Sequence, residues 1–194
     1  MLQDRFCIAS QGQIKVTLSP EDMVTCNMGN AGCNGGLLSE TINYLITEGV
    51  VSEDCLPYVS GIGVQNFCSY SCADKGKYYE KYACKLGSGT MLTTHEEIMT
   101  ELMTNGPMQV GYLIYDDFYY YKTGIYEKSD SAVMLGGHAV KLLGWNYDAN
   151  GRLYWICQNQ WGTIFGEQGY FNIYAGECGI DSFASSCMPD IGFF

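Results

Sequence analysis

Gly136-Gly137-His138-Ala139-Val140 is followed by Gln158-Asn159-Gln160-Trp161-Gly162, which sets His138 and Asn159 21 residues apart. The first stretch reads as an apolar strand opened by a histidine, the second as an asparagine covered by an indole. An imidazole can hold a thiolate as an ion pair and later protonate a leaving amine, provided a third group fixes the ring. Asn159 offers a side-chain oxygen to the imidazole N–H, and Trp161 can shield that bond from water. Alone, His138 would more often be a satisfied structural histidine, and a lone asparagine before tryptophan says little. Both motifs in this order and at this separation point to nucleophilic chemistry. Gly136 and Gly137 remove side-chain bulk just before the ring, so a substrate backbone can approach it closely.

The thiol itself is not found. A reactive cysteine needs an electropositive, helix-start setting near the histidine. None of the ten cysteines (Cys7, Cys26, Cys33, Cys55, Cys68, Cys72, Cys84, Cys157, Cys178 and Cys187) stands in a Cys-Gly-Ser-Cys-Trp context. Their spacing is irregular and the chain has only two histidines, which argues for disulfides and against a metal site. Disulfides imply an oxidising compartment. No basic-then-apolar leader precedes the fold, and the conflict favours an incomplete N-terminus.

At 194 residues and 47% apolar, the chain can bury one substantial core or two small ones. A net charge of −11 argues against nucleic acid as a partner. No run approaches the ~18 apolar residues of a membrane span.

Two halves differ in texture. Residues 1–89 read as short helices and cysteine-tied loops, a mainly helical half. Ser19-Pro20-Glu21-Asp22 gives an N-cap, a proline at the first helical position and acids in the first turn. Leu38, Ile42, Leu45 and Ile46 recur at helical spacing, and Gly49 can end that helix. In residues 90–194, Thr93 with Glu96 predicts a capping box for a helix running to about Thr104, stopped by Asn105-Gly106-Pro107. Strands are then predicted over Met108–Tyr115, His138–Leu143, Tyr154–Gln158 and Gly169–Ile173. Tyr119-Tyr120-Tyr121 reads as a half-buried aromatic edge. The plan is α+β, with a cleft expected between the halves.

At this point the sequence resembles the papain-like cysteine peptidases, in their cathepsin B-like branch. The resemblance runs through Arg5-Phe6-Cys7-Ile8-Ala9-Ser10, Leu18-Ser19-Pro20-Glu21-Asp22, Gly32-Cys33-Asn34-Gly35-Gly36, Asn105-Gly106-Pro107, Tyr121-Lys122-Thr123-Gly124-Ile125-Tyr126, the His138 and Asn159 motifs, and Gly176-Glu177-Cys178-Gly179-Ile180. It implies a two-lobed fold, a helical left lobe and a β-barrel-like right lobe meeting at an active-site cleft, N-terminally truncated here. In the papain pattern the histidine and asparagine follow the nucleophile by roughly 130–150 residues. The matching cysteine would fall about eight positions before Met1, with His138 about 145 residues after it. The resemblance also implies that Cys33 and Cys7 pair with cysteines further upstream, and that the oxyanion-hole glutamine lies there too.

The resemblance assigns His138 and Asn159 as catalytic, and Gly35, Gly36, Gly137, Ala139, Trp161 and Phe183 as substrate-binding. Gly35 and Gly36 would hold an extended peptide as a β-strand; read without it, they make a plain turn. Phe183 stands where the second-subsite pocket is floored and makes that pocket apolar. No cofactor or metal is implied, and the expected partners are protein or peptide substrates. A lysosomal, vacuolar or secreted setting is expected for the complete protein.

Departures from the pattern are Gln160 for serine, Phe165 for a second tryptophan, and Gln158 for a small or basic residue. The stretch Pro57–Cys84 lacks the adjacent histidines of an occluding loop, so endopeptidase action is expected of a complete enzyme. The rival reading is a pseudopeptidase, a non-catalytic binding or structural module with the same fold. A transglutaminase-like site is disfavoured by asparagine at 159.

Overall fold

The computed structural model describes residues 1–192, which form two compact units. One unit runs Leu2–Thr90 and takes in residues 187–192; the other is Met91–Ser186 together with Met1.

The first unit is built on three short helices. Helix α1 (Leu2–Ala9) turns Leu2, Arg5 and Phe6 inward, and the fully buried Phe6 ring meets Tyr82 edge-on at 5.6 Å. Helix α2 (Pro20–Cys26) starts as its sequence predicts, with Ser19 Oγ accepting from the Asp22 N–H at 3.1 Å and Pro20 in the first turn. Its two acids are buried and serve as anchors. Glu21 accepts from the N–H groups of Val59 and Ser60, both at 3.0 Å. Asp22 accepts from the Val51 N–H at 2.8 Å, from the Tyr44 hydroxyl and from Lys81 Nζ. Helix α3 (Leu38–Thr47) buries Ile42, Tyr44 and Leu45, and the chain reverses at Gly49, φ +71°. Disulfides Cys26–Cys68, Cys55–Cys72 and Cys84–Cys187 tie the loops to this frame, while Cys7, Cys33, Cys157 and Cys178 are free thiols.

In the second unit, strand β1 (Thr90–Leu92) leads into helix α4 (His95–Asn105). The capping box uses Thr94 and Glu97, one residue beyond the predicted pair. That register turns Ile98 and Leu102 into the core. Six further strands follow: β2 (Met108–Tyr115), β3 (Ile125–Tyr126), β4 (Met134–Tyr147), β5 (Leu153–Gln158), β6 (Tyr170–Tyr174) and β7 (Ala184–Ser186). They form one sheet in the order β1-β7-β2-β4-β5-β6-β3, with β3 parallel to β6. Met108, Val110, Tyr112 and Ile114 alternate inward along β2, as period-2 burial requires. They meet Trp155, Cys157, Phe171 and Ile173, all fully buried, to make the core.

Strand β4 is much longer than predicted, because it pairs with β2 over its first part and β5 over its second. The two pairings overlap at Lys141 and Leu142, and a register shift between Leu142 and Gly144 interrupts the pairing with β5. The tyrosine triplet divides between surface and core. Tyr119 and Tyr120 end a 3-10 turn over Asp116–Tyr120 and are exposed, while Tyr121 is buried.

Candidate active site

His138 sits on β4 opposite Tyr112 of β2, and Asn159 follows the last residue of β5. Because β4 and β5 pair directly, with Lys141 opposite Gln158, the sheet brings the two motifs together across 21 residues of sequence. The His138 Nε2 lies 2.9 Å from Asn159 Oδ1. That oxygen also accepts the Gln160 N–H at 2.9 Å, which fixes it as the oxygen of the amide. An acceptor facing Nε2 requires Nε2 to carry the proton. In the neutral ring Nδ1 therefore keeps its lone pair, and among the described residues it has no hydrogen-bond partner. The site thus presents a proton acceptor in a fixed tautomer.

Two aromatic side chains meet the ring, and two more back them. Trp161 lies 4.9 Å from the His138 ring, tilted at 35°, and is itself stacked on Tyr119 at 5.0 Å. Tyr112 meets His138 edge-on at 5.7 Å. Phe118, fully buried, touches Trp161 and Tyr112, each at 5.7 Å. Burial lowers the His138 pKa below the ordinary histidine value, and the Asn159 bond opposes that shift without cancelling it.

The sign of that shift gives a testable pH dependence. The unfolded chain protonates His138 at about pH 6.5, the folded chain only at lower pH, so the unfolded state binds more protons in between. Stability is fully present above about pH 6.5 and falls as the pH drops through the lowered native value. His138→Gln is expected to flatten that loss, as read by urea midpoints at about pH 7.5 and about pH 5.

Gln160, in place of serine, donates from Nε2 to the Ala139 carbonyl at 2.9 Å and so links the two motifs directly. Gly137 and Ala139 are exposed on either side of the half-buried His138. A Cβ built at Gly136 or Gly137 meets nothing within 4 Å, so the space before the ring is open. Phe183 lies just before β7 with its side chain 59% exposed. Gly35 and Gly36 belong to the other unit. Gly35 has φ +95°, and a Cβ at Gly36 would come within 2.3 Å of the Asn30 side chain, so both positions call for glycine.

Sequence reasoning had no signal for Tyr112. Its hydroxyl is buried and has no hydrogen-bond partner among the described residues, and its pKa is pushed up chiefly by that burial. An orphaned buried hydroxyl costs about 1–3 kcal/mol. Tyr112→Phe is therefore expected to leave the ring contact with His138 intact and raise stability by about 1 kcal/mol, measured by urea unfolding.

Comparison with known proteins bears on the same frame. The profile of the papain family cysteine proteases matches residues 1–188. The chain is 36% identical to cathepsin B-like cysteine proteinase 5 of Caenorhabditis elegans, over 98% of this chain and 64% of that one. It is 37% identical to cathepsin B-like CP3 of Giardia intestinalis, over 92% and 60%. Among solved structures, procathepsin B S9 from Trypanosoma congolense superposes with a TM-score of 0.88 at 30% identity, covering 97% of this chain and 65% of that one. The chain thus spans somewhat under two thirds of the length of these relatives. The fold is α+β and papain-like, and the chain belongs to the papain family of cysteine proteases.

Proposed function

We propose that this chain is the histidine- and asparagine-bearing body of a cathepsin B-like endopeptidase, completed by a cysteine that its sequence does not contain. The observation that carries the reading is the His138 Nε2···Asn159 Oδ1 bond at 2.9 Å, which leaves Nδ1 free to take a proton. In the completed enzyme the thiol proton passes to Nδ1, and the thiolate attacks the scissile carbonyl. The imidazolium then returns the proton to the leaving amine, giving an acyl-enzyme that water hydrolyses with His138 again acting as base. Asn159 holds the ring through both transfers. Without the cysteine none of these steps can begin, so the chain alone is inactive.

Several finer features belong to the same reading. The absence of adjacent histidines in Pro57–Cys84 supports endopeptidase rather than carboxypeptidase action, since nothing there caps the primed side. Phe183 supports a preference for valine over arginine at the second substrate position. Three disulfides support a lysosomal, vacuolar or secreted setting.

The test is peptide hydrolysis by two proteins, this chain and the same chain preceded by about twenty residues carrying Cys-Gly-Ser-Cys-Trp, a length set by the family spacing. The extended protein is expected to cleave and the short one not. A folded, extended protein without activity would move the reading to a pseudopeptidase that holds a protein partner.

A further inference from the structure

Asp181 stands two residues before Phe183 and takes no part in the His138–Asn159 pair. Its side chain is buried, and one oxygen, Oδ2, accepts two hydrogen bonds and lies against a third segment. The donors are Trp155 Nε1 on β5 at 3.0 Å and the Gly176 N–H at 2.9 Å, and Nε2 of His95, the first residue of α4, makes a polar contact with the same oxygen at 2.8 Å. The His95 ring also meets the Trp155 indole edge-on at 5.7 Å.

The Gly176 bond closes the loop Gly176–Asp181 on itself. This loop is conformationally demanding. Gly176 and Gly179 have φ +80° and +72°, and Cys178, which has a Cβ, stands at φ +53°. Such a backbone persists only where its surroundings hold it. Ile180, 1% exposed, anchors the loop on one side, and Asp181 ties it to β5 and α4 on the other. Beyond it, Ala184 and Ser185 pair with β2. Phe183 lies between these fixed points. Its exposed side chain has little packing of its own to aim it, so its direction follows from the backbone on either side.

We infer that Asp181 is a positioning residue that aims Phe183, with His95 and Trp155 as its braces, and thereby sets the preference of the second-subsite pocket for apolar side chains. The part concerning preference rests on the peptidase reading. Trp155 extends the same constraint into β5, the strand that delivers Asn159, so the pocket floor and the catalytic pair share one frame.

The test uses this chain as wild type and as Asp181→Leu, Asp181→Asn and His95→Gln. Three quantities are read: amide hydrogen exchange over residues 176–184, the NMR shift of the Trp155 indole N–H (assigned with Trp155→Phe), and the affinity ratio for two fluorescein-labelled peptide amides. The peptides differ only in valine or arginine at the position facing Phe183. Asp181→Leu is expected to speed exchange over 176–184 by about tenfold or more, since a hydrogen bond to a charged group is lost. It should also move the indole resonance and reduce the valine preference, while amides of β2 and β5 keep their protection. Asp181→Asn, which keeps an acceptor, should restore most of the wild-type behaviour, and His95→Gln should give a smaller change confined to the same segment.

Unchanged exchange over 176–184 in folded Asp181→Leu, or acceleration spread evenly over the sheet, would overturn the proposal. If that variant does not fold, His95→Gln decides, and no effect on the segment overturns it. A loop that loosens in Asp181→Leu, in a wild type showing no valine preference, would uphold the positioning role. In that case it is the peptidase reading of Phe183 that fails.

Discussion

With the nucleophile in place, His138→Ala lowers kcat for peptide hydrolysis by about 10³-fold or more, with a much smaller change in KM. In the proposed mechanism the ring does two jobs in each half-reaction, accepting a proton from the attacking group and donating one to the leaving group. General acid–base transfer of this kind contributes about 10²–10⁴-fold. Alanine also removes the cation that stabilises the thiolate. Since Gly137, Ala139 and Trp161, the proposed substrate-binding residues, remain, substrate binding is expected to be largely preserved. Steady-state kinetics with a fluorogenic peptide measures this directly. A His138→Ala enzyme within tenfold of wild type would mean that another group serves as the base.

The second large effect is on stability. Phe118→Ala is expected to cost about 3–5 kcal/mol, the range for removing a fully buried phenylalanine. Phe118 is 0% exposed and touches Tyr126 and Phe171 at 4.9 Å, Phe165 at 5.2 Å, and Trp161 and Tyr112 at 5.7 Å. The last two are the rings on either side of His138, so the cavity left by the substitution opens directly beneath the site. Urea unfolding gives the stability loss. In the completed enzyme the same variant should lose activity at temperatures where it is still folded, because Trp161 and Tyr112 no longer have a common backing. A loss under 1 kcal/mol would show that neighbouring aromatic rings collapse into the space.

How much of this could be read from the sequence depended on whether the determining contacts are local. Ser19 and Pro20 announce α2 because a cap is settled within four residues. The sequence alone leaves the start of α4 open by one residue, because Thr93/Glu96 and Thr94/Glu97 satisfy the capping pattern equally. Only the burial of Ile98 and Leu102 chooses between them. Strand β4 reads as shorter than it is because Gly136, Gly137 and Gly144 look like turn residues. In the fold the first two keep the space beside His138 open and the third follows a register shift, all within a continuous strand. Strands β3 and β7 have two and three residues and exist only through distant partners, so no periodicity marks them.

His138 and Asn159 were legible because spacing and flanking residues together make a specific pattern. Asp181 and Tyr112 were not. The partners of Asp181 come from residues 95, 155 and 176, and Tyr112 meets His138 only through the register of β2 with β4.

The most direct test of the central claim, that His138 and Asn159 serve a thiolate outside this sequence, is labelling of the protein from its natural source with an epoxide thiol-protease probe. Mass spectrometry without reduction then locates the label. The expected result is a label on a cysteine in a segment continuous with, or disulfide-linked to, this chain, and lost in His138→Ala. A folded protein that takes up no label, or takes it on Cys7, Cys33, Cys157 or Cys178, would contradict the claim.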